Sequence, residues 1–305
     1  MISFIKEPCS EDELKGILSP VVKEWFFSRF KEFSLPQLYV VKEIHEGHNV
    51  LLSAPTGGTK TLSSTMAVIN ELVNLALADC LERKVYCVYV NPLKALSRDI
   101  EVNLRQPLEE IKELCRKSGK SVDIRIGVRT GDTTTAERQK LLKNPPHILI
   151  TTPESLSLML VSPKFKLFLQ DVQYMIVDEI HALAENKRGV HLSLTLERLQ
   201  HISARMQRIG LSATIAPLEE IAQFLVGPKR DCKVADVRFV KQKDFKLITP
   251  VADLMDSTFK QQHDALYSVL DSLIQAHRTT IVFTNTRSAT ERVINHLKER
   301  FPKNY

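Results

Sequence analysis

Cysteine is sparse in this chain of 305 residues, and no two cysteines stand close enough to pair as ligands. Cys9, Cys80, Cys87, Cys115 and Cys232 contain no C-x-x-C spacing, which excludes a zinc ribbon and a disulfide framework and leaves reduced, mostly structural thiols. No apolar run approaches the length of a membrane span, and the N-terminal stretch, with Lys6, Glu7 and the acids Glu11, Asp12 and Glu13, lacks the pattern of a signal peptide. The reading is therefore of a cytoplasmic chain with no membrane association. Blocks of like charge, low-complexity tracts and internal repeats are also missing. A net charge of +6 permits a polyanionic partner without requiring one.

What is present is a repeated alternation of short apolar runs and helical patterns. Ser10 with Glu13 has the form of a capping box, Ser19-Pro20 opens a second helix, and Ser34-Leu35-Pro36-Gln37 opens a third that Gly47 ends. Strand-like runs follow at Val50–Leu52, Val85–Val90, Ile124–Val128, Ile148–Thr151, Met175–Val177 and Ile209–Leu211, each succeeded by turn residues and a helical stretch. Repeated β-then-α units predict an α/β fold, a parallel sheet with helices on both faces. Ligands in such folds sit beyond the carboxyl ends of the strands, and the polar motifs of this sequence fall there.

The first of them is Ser53-Ala54-Pro55-Thr56-Gly57-Gly58-Thr59-Lys60-Thr61, between an apolar strand and a long helical pattern. Backbone N–H groups at a helix N-terminus, reinforced by the helix dipole, form a site for phosphates. Lys60 would reach the β- and γ-phosphates and the Thr61 hydroxyl would hold Mg²⁺. The stretch departs from the G-x-x-x-x-G-K-[ST] pattern at Ala54 and, more seriously, at Thr59. If that position requires positive φ, strain of about 1–3 kcal/mol would weaken nucleotide binding about ten- to a hundredfold. An ordinary Gly-rich turn is the alternative.

Asp178-Glu179-Ile180-His181 closes the strand Tyr174–Val177. Adjacent carboxylates at the end of an apolar strand repel each other and lose hydration unless a cation compensates. Mg²⁺, an oxygen-seeking ion that keeps water and phosphate ligands, suits Asp178, while Glu179 is placed to deprotonate an attacking water. His181 reads as a cap, a core residue or a coupling group. Ser212-Ala213-Thr214 ends a later strand, where small hydroxyls can bridge to the carboxylates. Asn91-Pro92-Leu93-Lys94, Arg129-Thr130-Gly131-Asp132 and Thr152-Pro153-Glu154-Ser155 close three further strands, either as ordinary helix caps and turns or as places to hold phosphates.

In this order and at these separations, the phosphate loop, Asp178-Glu179-Ile180-His181 and Ser212-Ala213-Thr214 resemble superfamily 2 helicases of the DExH type. Thr152-Pro153-Glu154-Ser155-Leu156 is similar to an element of the large helicase-related (Lhr) group within them. The resemblance implies a RecA-like domain over residues 1–235 and an incomplete second RecA-like domain from 236 to 305. It implies ATP and Mg²⁺ as cofactors, with Phe30 and Gln37 as the adenine-recognising motif, residues 54–61 on phosphate, Lys60, Asp178, Glu179 and His181 in catalysis, and Ser212, Ala213 and Thr214 in coupling. Pro92, Leu93, Lys94, Thr130, Gly131, Asp132, Thr152, Pro153, Glu154 and Ser155 would line the track of a nucleic-acid strand. Thr284, Asn285 and Arg287, in a run similar to motif IV, would join them.

The implied activity is that of an ATP-dependent DNA helicase on single-stranded or forked DNA, with RNA or an RNA–DNA hybrid as the alternative track. A non-catalytic nucleic-acid-binding module with a degenerate phosphate loop is the reading from another class. Nothing resembles motifs V and VI, so the expectation is a chain lacking the C-terminal helicase domains, with weak binding and poor turnover by itself. Val237–Val240 is read as a strand crossing into the second domain, and His263–Ala276 as a helix.

Overall fold

The computed structural model describes residues 1–55, 59–213, 216–237 and 244–305, and among these the side chains of residue 59 and residues 94–99 lie outside the description. Thr56, Gly57, Gly58 and Thr214, and most of the strand expected at 237–240, fall outside the described residues. The chain divides into two compact units, Met1–Lys241 and Gln242–Tyr305.

In the first unit the elements run β1 (Ile2–Phe4), α1 (Glu11–Ile17), α2 (Pro20–Arg29), α3 (Leu35–His45), β2 (Val50–Ser53), α4 (Thr59–Leu77), β3 (Cys87–Val90), α5 (Lys94–Lys117), β4 (Ile126–Arg129), α6 (Thr135–Lys143) and β5 (Ile148–Thr151). They continue as α7 (Pro153–Val161), α8 (Pro163–Phe168), β6 (Tyr174–Val177), α9 (His181–Ala184), α10 (Lys187–Ile202), β7 (Gln207–Ser212), α11 (Leu218–Val226) and β8 (Cys232–Asp236). The local signals act as expected: Ser10 and Glu13 exchange both bonds of a capping box, and Pro20 opens α2.

The eight strands form one sheet in the order β1-β8-β2-β7-β6-β3-β5-β4, parallel throughout. Side chains alternate across it with period two. Leu52, Tyr89, Ile150, Ile176 and Leu211 enter a core shared with α1–α5, whereas Leu51, Val88, Val90, Leu149 and Val177 enter a second core under α7–α11. A sheet buried on both faces explains why its central strands are apolar without interruption. β1 and β8 were not foreseen. β8 sets Lys233 and Asp236 among buried apolar residues and lies just before the stretch expected as a strand.

The second unit packs α12 (Phe259–Ala276) and α13 (Arg287–Arg300). Thr258 and Gln261 form a capping box on α12, and the Thr286 side chain caps α13. The apolar run from Thr280 to Phe283 carries no strand pairing among the described residues, and Ile281 and Phe283 are exposed. A parallel strand needs a neighbouring strand to take its hydrogen bonds, and the described part of this unit supplies none. Among the described residues no helix is long and apolar enough to cross a membrane.

Candidate nucleotide site

Register brings the motifs to one edge. Ser53 is level with Ser212, and Val90 is level with Thr151 and Val177, so the residues following β2, β3, β5, β6 and β7 emerge side by side. The backbone N–H of Asp178 donates to the Val90 carbonyl and that of Ile180 to the Leu211 carbonyl, extending the ladder past the strand ends.

Lys60 lies in the first turn of α4 and is almost wholly buried. Its Nζ donates to the carbonyls of Ala54 at 3.2 Å and Ser212 at 3.4 Å. A buried ammonium held by neutral carbonyls is suited to an anionic ligand. Thr59 is the first residue of α4, and helical backbone carries negative φ. The strain expected there is not found, because the helix begins at Thr59 and a β-branched residue fits helical backbone. Glycine in this helical position would cost about 0.5–1 kcal/mol. Thr59→Gly is therefore expected to bind a fluorescent ATP analogue no more tightly than the parent chain, and up to about fivefold more weakly; a tenfold gain would restore the strain argument.

Asp178 is also buried, and three donors hold it. Tyr89 Oη donates to Oδ2 at 2.7 Å, Asn91 Nδ2 donates to the same oxygen at 3.2 Å, and the Glu179 N–H donates to Oδ1 at 2.9 Å. The Thr61 side chain lies close enough to the Tyr89 hydroxyl to act on its ionisation. Burial first, then the Asp178 charge, push its ionisation well above the ordinary range, so it stays a donor. One phenol thus lies near both residues expected to hold Mg²⁺.

Glu179 sits in the left-handed region at φ 47°, a conformation that costs a non-glycine residue about 1–3 kcal/mol and concentrates at functional sites. Its Oε2 is 3.2 Å from His181 Nε2. The Ala213 N–H donates to His181 Nδ1 at 3.1 Å, with Ser212 Oγ 3.4 Å from the same nitrogen. Because Nδ1 accepts, the ring proton resides on Nε2 and faces Glu179. His181 therefore links the acid pair to the end of β7, where the sequence placed a coupling element.

Phe30 lines a cavity of about 240 Å³ together with Thr61, Thr65 and Pro107. Gln37, by contrast, is buried with Oε1 accepting from the Ser34 N–H at 2.7 Å, as the distal half of the α3 capping box. Thr152 caps α7, accepting from Ser155 N–H, and Pro153 and Ser155 are buried. Glu154 is the exposed member of that stretch. Leu93 is exposed and Pro92 buried. Thr130 accepts from the Asp132 N–H within a turn at the end of β4. Sequence reasoning passed over Tyr89, whose position in a strand reads as packing, and Arg188, whose partners are remote in sequence.

The match to known proteins follows this arrangement: residues 34–223 fit the DEAD/DEAH box helicase family. The chain belongs to that family. This DEAD/DEAH member is 53% identical over 309 residues to the ATP-dependent helicase Lhr-Core of Methanothermobacter thermautotrophicus, a match spanning 100% of this chain and 36% of that protein. It is likewise 53% identical to Lhr-Core of Methanocaldococcus jannaschii, over 98% of this chain and 35% of that one. Among solved structures it is similar to the Mycobacterium smegmatis helicase Lhr bound to ssDNA and AMP-PNP, with a TM-score of 0.79 and 39% identity, covering 94% of this chain and 36% of the other. The chain therefore spans about a third of the length of the relatives it matches, and its sheet is the RecA-like fold of those helicases.

Proposed function

We propose that this chain is the nucleotide-binding motor of an ATP-dependent helicase that moves on single-stranded or forked DNA in the cytoplasm. Residues 1–235 would form the first RecA-like domain and 236–305 the opening of the second. The observation that carries this reading is the convergence of Lys60, Asp178, Glu179 and His181 on one sheet edge, with Thr61 near the Tyr89 hydroxyl that donates to Asp178.

Lys60 binds the β- and γ-phosphates against the N-terminus of α4. Thr61 and Asp178 offer hard oxygen ligands near one hydroxyl, which fits Mg²⁺, an ion that takes few protein ligands and completes its shell with water and phosphate; when bound it would neutralise phosphate charge. Glu179 accepts the proton of the attacking water, and the His181 Nε2–H steadies the carboxylate until it does. Residues after β3, β5 and β4, which are successive neighbours in the sheet, face the strand in a row and hold its backbone without reading bases. The M. smegmatis relative, seen with ssDNA and AMP-PNP, favours DNA as the track. Helical backbone at Thr59 weakens one of the two grounds for a non-catalytic reading, the other being the missing motifs V and VI.

The test is titration of this chain with a fluorescent Mg²⁺–ATP analogue. Saturable binding is expected, weakened at least tenfold, about 1.4 kcal/mol, in Lys60→Ala. Undetectable binding by the parent chain would remove the reading.

A further inference from the structure

Arg188 stands in the first turn of α10, outside every motif described above, yet it touches two of them. Its Nε donates to Glu154 Oε1 at 2.6 Å and a terminal nitrogen donates to the Pro92 carbonyl at 2.9 Å. Pro92 follows Asn91, which is fully buried and rigidly held: Nδ2 donates to Asp178, and Oδ1 accepts from the Leu93 N–H at 2.8 Å. Arg188 is thus one hydrogen-bonded turn away from the carboxylate expected to hold the metal.

Its own placement is equally constrained. Asn186 caps α10, accepting from the N–H groups of Arg188 and Gly189, while its Nδ2 donates to the Ala182 carbonyl in α9 at 2.6 Å. A Cβ on Gly189 would lie 2.0 Å from the Leu183 carbonyl oxygen, so only glycine lets α10 press this closely on α9. The helix that begins with His181 and the turn that carries Arg188 therefore move as one piece. On the other side, Glu154 is a carboxylate on the edge assigned to a phosphate backbone. Burial is the largest single influence and raises its ionisation, but the hydrogen bond and charge of Arg188, its own backbone N–H and Thr152 together outweigh it and keep it below the usual carboxylate range. A guanidinium binds phosphate in the same forked geometry as carboxylate, so a strand phosphate arriving beside Glu154 can compete for Arg188.

We propose that Arg188 is a positioning residue that couples the two ligands: by bridging Pro92 and Glu154 from a turn fixed to α9, it transmits strand binding to Asp178 and Glu179, and nucleotide binding to the strand. The inference rests on the motor reading above. Linkage makes the coupling reciprocal, and typical coupled sites shift each other's affinity about 5- to 150-fold.

The experiment measures the affinity of this chain for a fluorescent, non-hydrolysable Mg²⁺–ATP analogue with and without saturating single-stranded oligodeoxythymidylate, in the parent, Arg188→Ala and Arg188→Lys. A gain on the order of tenfold is expected in the parent. It falls below about twofold in Arg188→Ala, while affinity for each ligand alone stays within about threefold, and Arg188→Lys, which keeps the cation but not the fork, lies between. Coupling in Arg188→Ala equal to the parent's overturns the inference, as does a parent that binds both ligands without coupling. Collapse of both single-ligand affinities in Arg188→Ala and Arg188→Lys would make the residue merely structural and also overturn it. A parent that binds no nucleotide fails the motor reading itself, and the inference falls with it.

Discussion

Replacing Glu179 with glutamine is expected to lower strand-stimulated ATP hydrolysis by about 10²–10⁴-fold in a polypeptide carrying both motor domains, with nucleotide binding retained. Glutamine keeps the shape and can still meet His181, but it cannot take a proton. The Glu179 carboxylate meets His181, whereas the oxygens of Asp178 are already occupied by Tyr89, Asn91 and the Glu179 N–H. The two acids thus have separate tasks, one saturated with donors and one facing a single imidazole. Phosphate release under single turnover would check this. Turnover within tenfold of the parent would show that another group accepts the proton.

A second large effect concerns acid stability. His147, at the start of β5, is 1% exposed. Burial, then the Arg125 charge, lower its pKa from 6.5 to about 4, against smaller opposing effects of Asp123 and a Glu82 backbone hydrogen bond. Its Nδ1 accepts from the Arg125 N–H at 3.0 Å. Below pH 6.5 the unfolded chain binds a proton here that the folded chain refuses until about pH 4. The unfolded state therefore holds more protons in that window, and stability rises with pH across it. The contribution is complete above the unfolded pKa and is lost as pH falls towards the folded one, about 3 kcal/mol in all. His147→Asn, which retains an acceptor for Arg125 but cannot titrate, is expected to flatten the denaturation midpoint between pH 6.5 and 4 by that amount. An unchanged slope would place the acid sensitivity elsewhere.

Much of this was legible beforehand because the sheet is buried on both faces. Val85–Val90 and Ile148–Thr151 are apolar without alternation, and each ends abruptly in polar residues, so both the strands and their functional edge could be read. The capping box at Ser10 was equally plain, since its partner stands three residues away. What could not be read were relations between distant residues. Tyr89 reaches Asp178, with Thr61 nearby, through a hydroxyl that sequence shows only as part of an aromatic strand residue. Gln37, expected at the adenine, also uses its Oε1 to cap its own helix, a second role the sequence did not show. Thr59 looked strained because the motif asks for glycine there, yet α4 begins at that very residue.

The position of β2 in the sheet has a consequence for how the chain is made. The strand that leads into the phosphate loop pairs with β7 and β8, Val50 lying level with Ile209 and Lys233. Both neighbours are synthesised more than 150 residues after β2. Contacts this remote in sequence form slowly, so the nucleotide site closes only after β7 and β8 have joined the sheet. Until then Val50, Leu51 and Leu52 are a bare apolar strand. A chain stopped before residue 207 would keep every residue of the phosphate loop and have nothing to hold it in place.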